Sequence, residues 1–180
     1  LWLHNGANTS FVTNTIPHSE TTRGDVWQVI VTPDDGRGLG ESAILDVTIG
    51  NSPPILGSVS PSVSTANETS SITCLPGAIY DEDGDTTSVT FEWLVNGSVV
   101  STTNSIDGTL FNKSDSVVCQ STAQDGWDAG NTLSTSPITI SNSAPILTSA
   151  ELSTLDVTVL DVVECNHPNA TDVDPADANS

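Results

Sequence analysis

The chain repeats itself, and that repeat constrains its fold more than any other feature of its 180 residues. Trp2-Leu3-His4-Asn5-Gly6 returns as Trp93-Leu94-Val95-Asn96-Gly97, an offset of 91 residues. Asn51-Ser52-Pro53-Pro54-Ile55-Leu56 returns as Asn142-Ser143-Ala144-Pro145-Ile146-Leu147 at that offset, and Cys74 returns as Cys165. Asp35-Gly36 returns as Asp125-Gly126 at an offset of 90. A fixed period of this size means tandem modules, not one globular catalytic domain. The landmarks divide the chain into the back half of a module at 1–52, a complete module at 53–144 and the front half of another at 145–180. The expectation is a piece of a longer polypeptide or a processed subunit.

Within the complete module, β-branched segments separated by turn residues recur every 8 to 14 positions, the pattern of a sandwich of short strands. Strands are expected at 55–63, 70–75, 87–95, 98–103, 109–112, 115–122 and 133–140. Val89, Phe91, Trp93 and Val95 alternate along the third, and Val117, Cys119 and Ser121 along the sixth. Asn96-Gly97 between two strands signals a tight hairpin. No window sustains a capped helical period, so the fold class is all-β. The front half is expected to carry strands at 146–152 and 157–165, followed by an acidic turn.

The order Cys74, Trp93, Cys119 resembles that of immunoglobulin-like domains, and the module is similar to the tandem Ig-like, cadherin-like and PKD-like repeats of giant bacterial and archaeal surface proteins. The Trp-Asp-Phe-Gly-Asp-Gly signature of PKD repeats is missing. The resemblance implies a Cys74–Cys119 bridge between opposite sheets with Trp93 packed on the sulfurs; the alternative is two free core cysteines. A bridge spanning 45 residues would stabilise the module by about 4 kcal/mol on the chain-entropy model. Val29 stands where the first module would match Cys119, so the core works without the bond.

Three basic residues against 23 acidic ones leave a net charge of −20 and a pI near 4.1. Such a field excludes nucleic acid as a partner and does not favour anionic membranes. It suits bound divalent cations. Asp81-Glu82-Asp83-Gly84-Asp85 is the strongest candidate site, because alternating aspartates around a glycine let a short loop aim several hard oxygens at one point, as calcium requires. Asp125 and Asp128 lie in the turn expected at the same end of the module. Asp172, Asp174 and Asp177 follow the same logic in the last half-module, and Asp34 and Asp35 occupy the matching late turn of the first. Calcium is the cofactor this arrangement predicts, rigidifying module junctions as in cadherin-like arrays; the alternative is a solvated acidic turn.

Five Asn-x-Ser/Thr sequons, at Asn8, Asn67, Asn96, Asn112 and Asn169, fall in expected turns or strand ends and predict covalently attached glycans. Arg23-Gly24-Asp25 spells an adhesion tripeptide, but its counterpart Lys113-Ser114-Asp115 points to a tight turn before a strand. His4, His18 and His167 are isolated from one another, and no nucleophile elbow or phosphate loop is present, so no enzyme is expected. The reading is an extracellular or cell-surface structural repeat, its half-modules completed head to tail by another unit of itself or by a continuing chain. The alternative is an adhesin stalk that grips a glycan or protein. Joined tail to head, Cys165 would precede Trp2 by 17 residues, against 19 between Cys74 and Trp93, so the seam closes to within two.

Overall fold

The computed structural model describes residues 1–147, 149–153, 156–166 and 170–174. These are all-β: short strands in several sheets, with one 3-10 turn at His18–Glu20 and no α-helix among the described residues. Two compact units are present, and each is built from more than one stretch of chain. The first comprises Leu1–Ile55, Ile79–Ser88 and Ala123–Asn131; the second comprises Leu56–Ala78, Val89–Thr122 and Thr132–Ser180.

The first unit holds a four-stranded antiparallel sheet in the order Ala7–Asn8, Trp2–His4, Val26–Val31, Ala43–Thr48. Its tight turn is Asn5-Gly6, both residues at positive φ, as the twist of a two-residue hairpin demands. Register puts Trp2 opposite Val29, His4 opposite Trp27, Trp27 opposite Val47 and Val29 opposite Leu45. Opposed residues share a face, so these side chains form one apolar surface. Only Trp27 is buried, ringed by Trp2, His4 and Phe11 at centroid distances of 6.4, 4.6 and 5.9 Å.

The second unit holds the core. One sheet runs Ser98–Ser101, Ser88–Val95, Ser116–Gln124, Ile138–Ser141, Ala66–Asn67, the last pair parallel. The other runs Ser105–Asp107, Ser71–Pro76, Val59–Pro61. Ile72, Cys74 and Ile106 from the smaller sheet pack with Trp93, Val117, Cys119, Ile138 and Ile140 from the larger in a single cluster, an arrangement consistent with a β-sandwich. Cys74 and Cys119 are bridged, with Cα atoms 6.1 Å apart, and Trp93 beside them is 1% exposed. The expected alternation along the sixth strand holds, since Val117, Cys119, Ser121 and Ala123 are buried and their neighbours are not.

Several expected strands are shorter or displaced. The 133–140 strand is broken into Ala129–Ser134 and Ile138–Ser141 around Pro137, which has no N–H for the ladder. At the break the Thr135 hydroxyl takes the place of a carbonyl and accepts the Cys119 N–H at 3.1 Å. The strand expected at 109–112 is instead a turn, and Ser105–Asp107 is the strand. Asp107 accepts the Thr109 N–H and hydroxyl, a local alternative to sheet pairing. The 55–63 strand is split into Ile55–Leu56 and Val59–Pro61.

In the last segment Ile146–Leu147 pairs with Ala170–Thr171, and Glu151–Leu152 with Cys165–Asn166. Of the expected 157–165 strand only its end forms. Thr158 donates from both its N–H and its hydroxyl to Asp161, which closes a turn instead. The counterpart strand Ser71–Pro76 is held from both sides, by Val59–Pro61 and by Ser105–Asp107.

Candidate functional site: an acidic cluster around a clasped linker

The acidic loop at 81–85 curls as its composition demands. Gly84 sits at positive φ, and one oxygen of Asp81 accepts the N–H groups of Asp83 and Asp85 at 3.0 and 3.1 Å. This leaves the other Asp81 oxygen buried without a hydrogen-bond partner. Oxygens of Asp81, Asp85 and Asp125 come within 4.8 Å of one another, close enough to ligate one cation. Of the residues singled out in the sequence, these three converge.

Asp83 and Asp128 do different work. They hold the linker that follows the Ala43–Thr48 strand. Asp83 accepts the Ser52 N–H at 2.6 Å, and the Asn51 amide donates to Asp125 at 2.8 Å and to Asp128 at 3.0 Å. Asp125 also accepts the N–H groups of Trp127 and Asp128 and is 6% exposed. The Asn51 amide, followed by the Asp128 N–H, holds the Asp125 carboxyl below the usual carboxylate range.

Arg23 closes the clasp, a role with no signal in the sequence beyond the scarcity of basic residues. Its guanidinium grips Asp85 with both nitrogens, one at 2.8 Å, and donates to the Asn51 side chain at 2.7 Å. It also lies 4.7 Å over the Trp127 ring, a cation–π contact. The hydrogen bond with Asp85 raises the Arg23 pKa further above its usual value. At the other end of the tripeptide, Asp25 is engaged by His4 at 2.8 Å and by the Asn5 amide at 3.0 Å, and these two hold its carboxyl low. Neither charged group of Arg23-Gly24-Asp25 points out unpartnered. The turn itself is as expected, with Gly24 and its counterpart Ser114 both at positive φ.

The linker geometry recurs one period later. Asp174 accepts the Ser143 N–H at 2.9 Å and donates its own N–H to Asp172 at 2.9 Å, as Asp83 does with Ser52 and Asp81. Asp174 is 2% exposed and its second oxygen has no partner. Asp177 lies outside the described residues. Asp34 and Asp35 turn inward on their own loop, where Asp34 accepts the Gly36 N–H and Asp35 those of Arg37 and Gly38.

Among the sequons, Asn8 and Asn112 are exposed. Asn67 is half-buried, and its carbonyl accepts from Thr69 and Ser70. The Asn96 amide nitrogen, the atom a glycan would need, donates to Asp115 at 2.7 Å. Asn5 makes the matching bond in the first module, so this asparagine serves the hairpin. Asn169 lies outside the described residues.

Fold and site together define a disulfide-bridged all-β protein with an acidic loop cluster gathered around a hydrogen-bonded linker. No family model, curated protein or solved structure matches the chain.

Proposed function

We propose that this chain is a non-enzymatic structural repeat of an extracellular fibre or cell-surface protein, built from Ig-like modules. On this reading 1–52 is the back half of one module, 53–144 is complete, and 145–180 is the front half of a third. The halves are completed head to tail by another unit or a continuing chain. The observation that carries the reading is the repeated linker: Ser52 on Asp83 and Ser143 on Asp174 are the same bond one period apart. The same carboxylate holding the same backbone N–H one period apart is what a tandem array of like modules predicts.

Calcium is the cofactor that suits the Asp81, Asp85 and Asp125 oxygens, with Asp83 and Asp128 steadying the loops around them. The adhesin alternative is the weaker one, because the exposed Trp127 ring has Arg23 stacked on it and is no free platform for a sugar. No helix among the described residues is long and apolar enough to cross a membrane.

The surface reading predicts glycans, and the fold favours Asn8 and Asn112 over Asn96, whose amide nitrogen is engaged. Mass spectrometry of the chain recovered from cells that make it should find glycopeptides at Asn8 or Asn112. A bare peptide mass at every sequon would overturn the extracellular glycoprotein reading.

A further inference from the structure

The internal repeat specifies which residues meet when the halves are completed. In the second unit, the face carrying Trp93, Val117, Cys119 and Ile138 is covered by the sheet of Val59–Pro61, Ser71–Pro76 and Ser105–Asp107. The same positions in the sheet of the first unit are Trp2, Trp27, Val29 and Val47; Trp27 is buried and Trp2 and Val29 are half-buried, but the face they share is open along the Ala43–Thr48 strand. Val31, Leu45 and Val47 along it are 56%, 68% and 55% exposed. Solvated apolar area of this kind favours association.

The covering element is present elsewhere in the chain. Leu152 pairs with Cys165 in the register that pairs Pro61 with Cys74, one period earlier. Between them Val157, Val162 and Val163 are 46%, 78% and 46% exposed, whereas Ala66 and Ile72, which match Val157 and Val163, are buried at 4% and 0%. The first half likewise lacks a pairing its counterpart makes. Ser105–Asp107 is a strand with Ile106 opposite Ile72, but the matching Thr15-Ile16-Pro17 lies outside any strand.

We propose that a second copy of this chain lays its 157–165 segment over the Trp2–Val29–Val47 face of the first, in the register of the complete module. This rests on the reading of the chain as a repeat completed head to tail, and names its contact. Val163 comes to lie opposite Ile16, as Ile72 lies opposite Ile106. Val157-Thr158 runs parallel to Ile49-Gly50, as Ala66-Asn67 runs beside Ile140-Ser141. The Cys165 thiol reaches the Val29 side chain, as Cys74 reaches Cys119. Each chain carries a net charge of −20, so like-charge repulsion opposes the contact and salt strengthens it.

The register is tested by Val29→Cys in the 180-residue chain at high salt, with diamide as the oxidant that takes the two thiol hydrogens. The expected result is a ladder of dimers and higher oligomers on a non-reducing gel, abolished by Cys165→Ser and by reduction. Ile44→Cys, 57% exposed and on the opposite face of the sheet, where it pairs with Ile30, is the control. A ladder of equal strength from Ile44→Cys overturns the register, as does a Val29→Cys disulfide closed within one monomer. Sedimentation of the unmodified chain keeps the test decisive if the variant folds poorly. Concentration-dependent association that Val163→Asp weakens at least tenfold supports the contact. Association that Val163→Asp and Ile16→Asp leave unchanged overturns this contact but not the head-to-tail reading. A chain that stays monomeric at every concentration and salt overturns the contact between copies and leaves only a continuing chain to complete the halves.

Discussion

At the scale of single residues, the two modules solve the same backbone problem with different side chains. The turn before the Val26–Val31 strand uses Gly24 at φ +87°, and its counterpart uses Ser114 at φ +72°. A residue with a Cβ is strained in that region and glycine is not. Ser114→Gly should therefore stabilise the protein by about 1 kcal/mol. A guanidinium titration should show the midpoint rising with an unchanged slope. A lowered midpoint would mean that the hydroxyl contributes more than the strain removes. Asn5 and Asn96 show the opposite relation, in which one residue type does one job twice: each ties its hairpin turn to the start of the neighbouring strand by donating to Asp25 or Asp115 and accepting the N–H of Val26 or Ser116.

At the scale of elements, packing follows from what each strand finds across from it. Ser71–Pro76 is pinned on both sides and bridged to Ser116–Gln124, so its alternation is realised as burial. The equivalent 157–165 stretch has the valines but only a short partner at its end, and so turns on Thr158 and Asp161. The bridge spans 45 residues, and replacing Cys74 by Ala and Cys119 by Val should cost about 4 kcal/mol. Denaturant unfolding of the double variant measures it. A loss under about 1 kcal/mol would show that the valine solution of the first module works equally well here. The legible part of the site lies at this scale too. Asp81, Asp85 and Asp125 were readable as ligand types in turns. The diversion of Asp83 and Asp128 to the linker was not, because their partners, the Ser52 amide and the Asn51 side chain, are 31 and 77 residues away.

At the scale of the whole molecule, charge governs. The net charge of −20 is concentrated enough at 81–85 and 125–128 that three carboxylates share one small space with a single guanidinium. Like charges this close destabilise one another unless a cation screens them. Calcium at millimolar concentration should raise the melting temperature of the chelated protein by a few degrees, and Asp81→Asn with Asp125→Asn should remove that increment. Calorimetry after chelation is the check. A melting temperature indifferent to calcium would leave Arg23 as the cation that serves this cluster.

The sequence by itself determined the period, the all-β class and the Asn-Gly hairpins, because each is written in local chemistry or in spacing along the chain; the Cys74–Cys119 bridge it offered only through a resemblance. Only the tertiary structure decided which strands survive, which carboxylates converge and what Arg23 does. Those outcomes depend on partners brought together from distant stretches: a strand needs an edge to pair with, a carboxylate turns to the nearest unsatisfied donor, and a lone guanidinium goes where negative charge is densest.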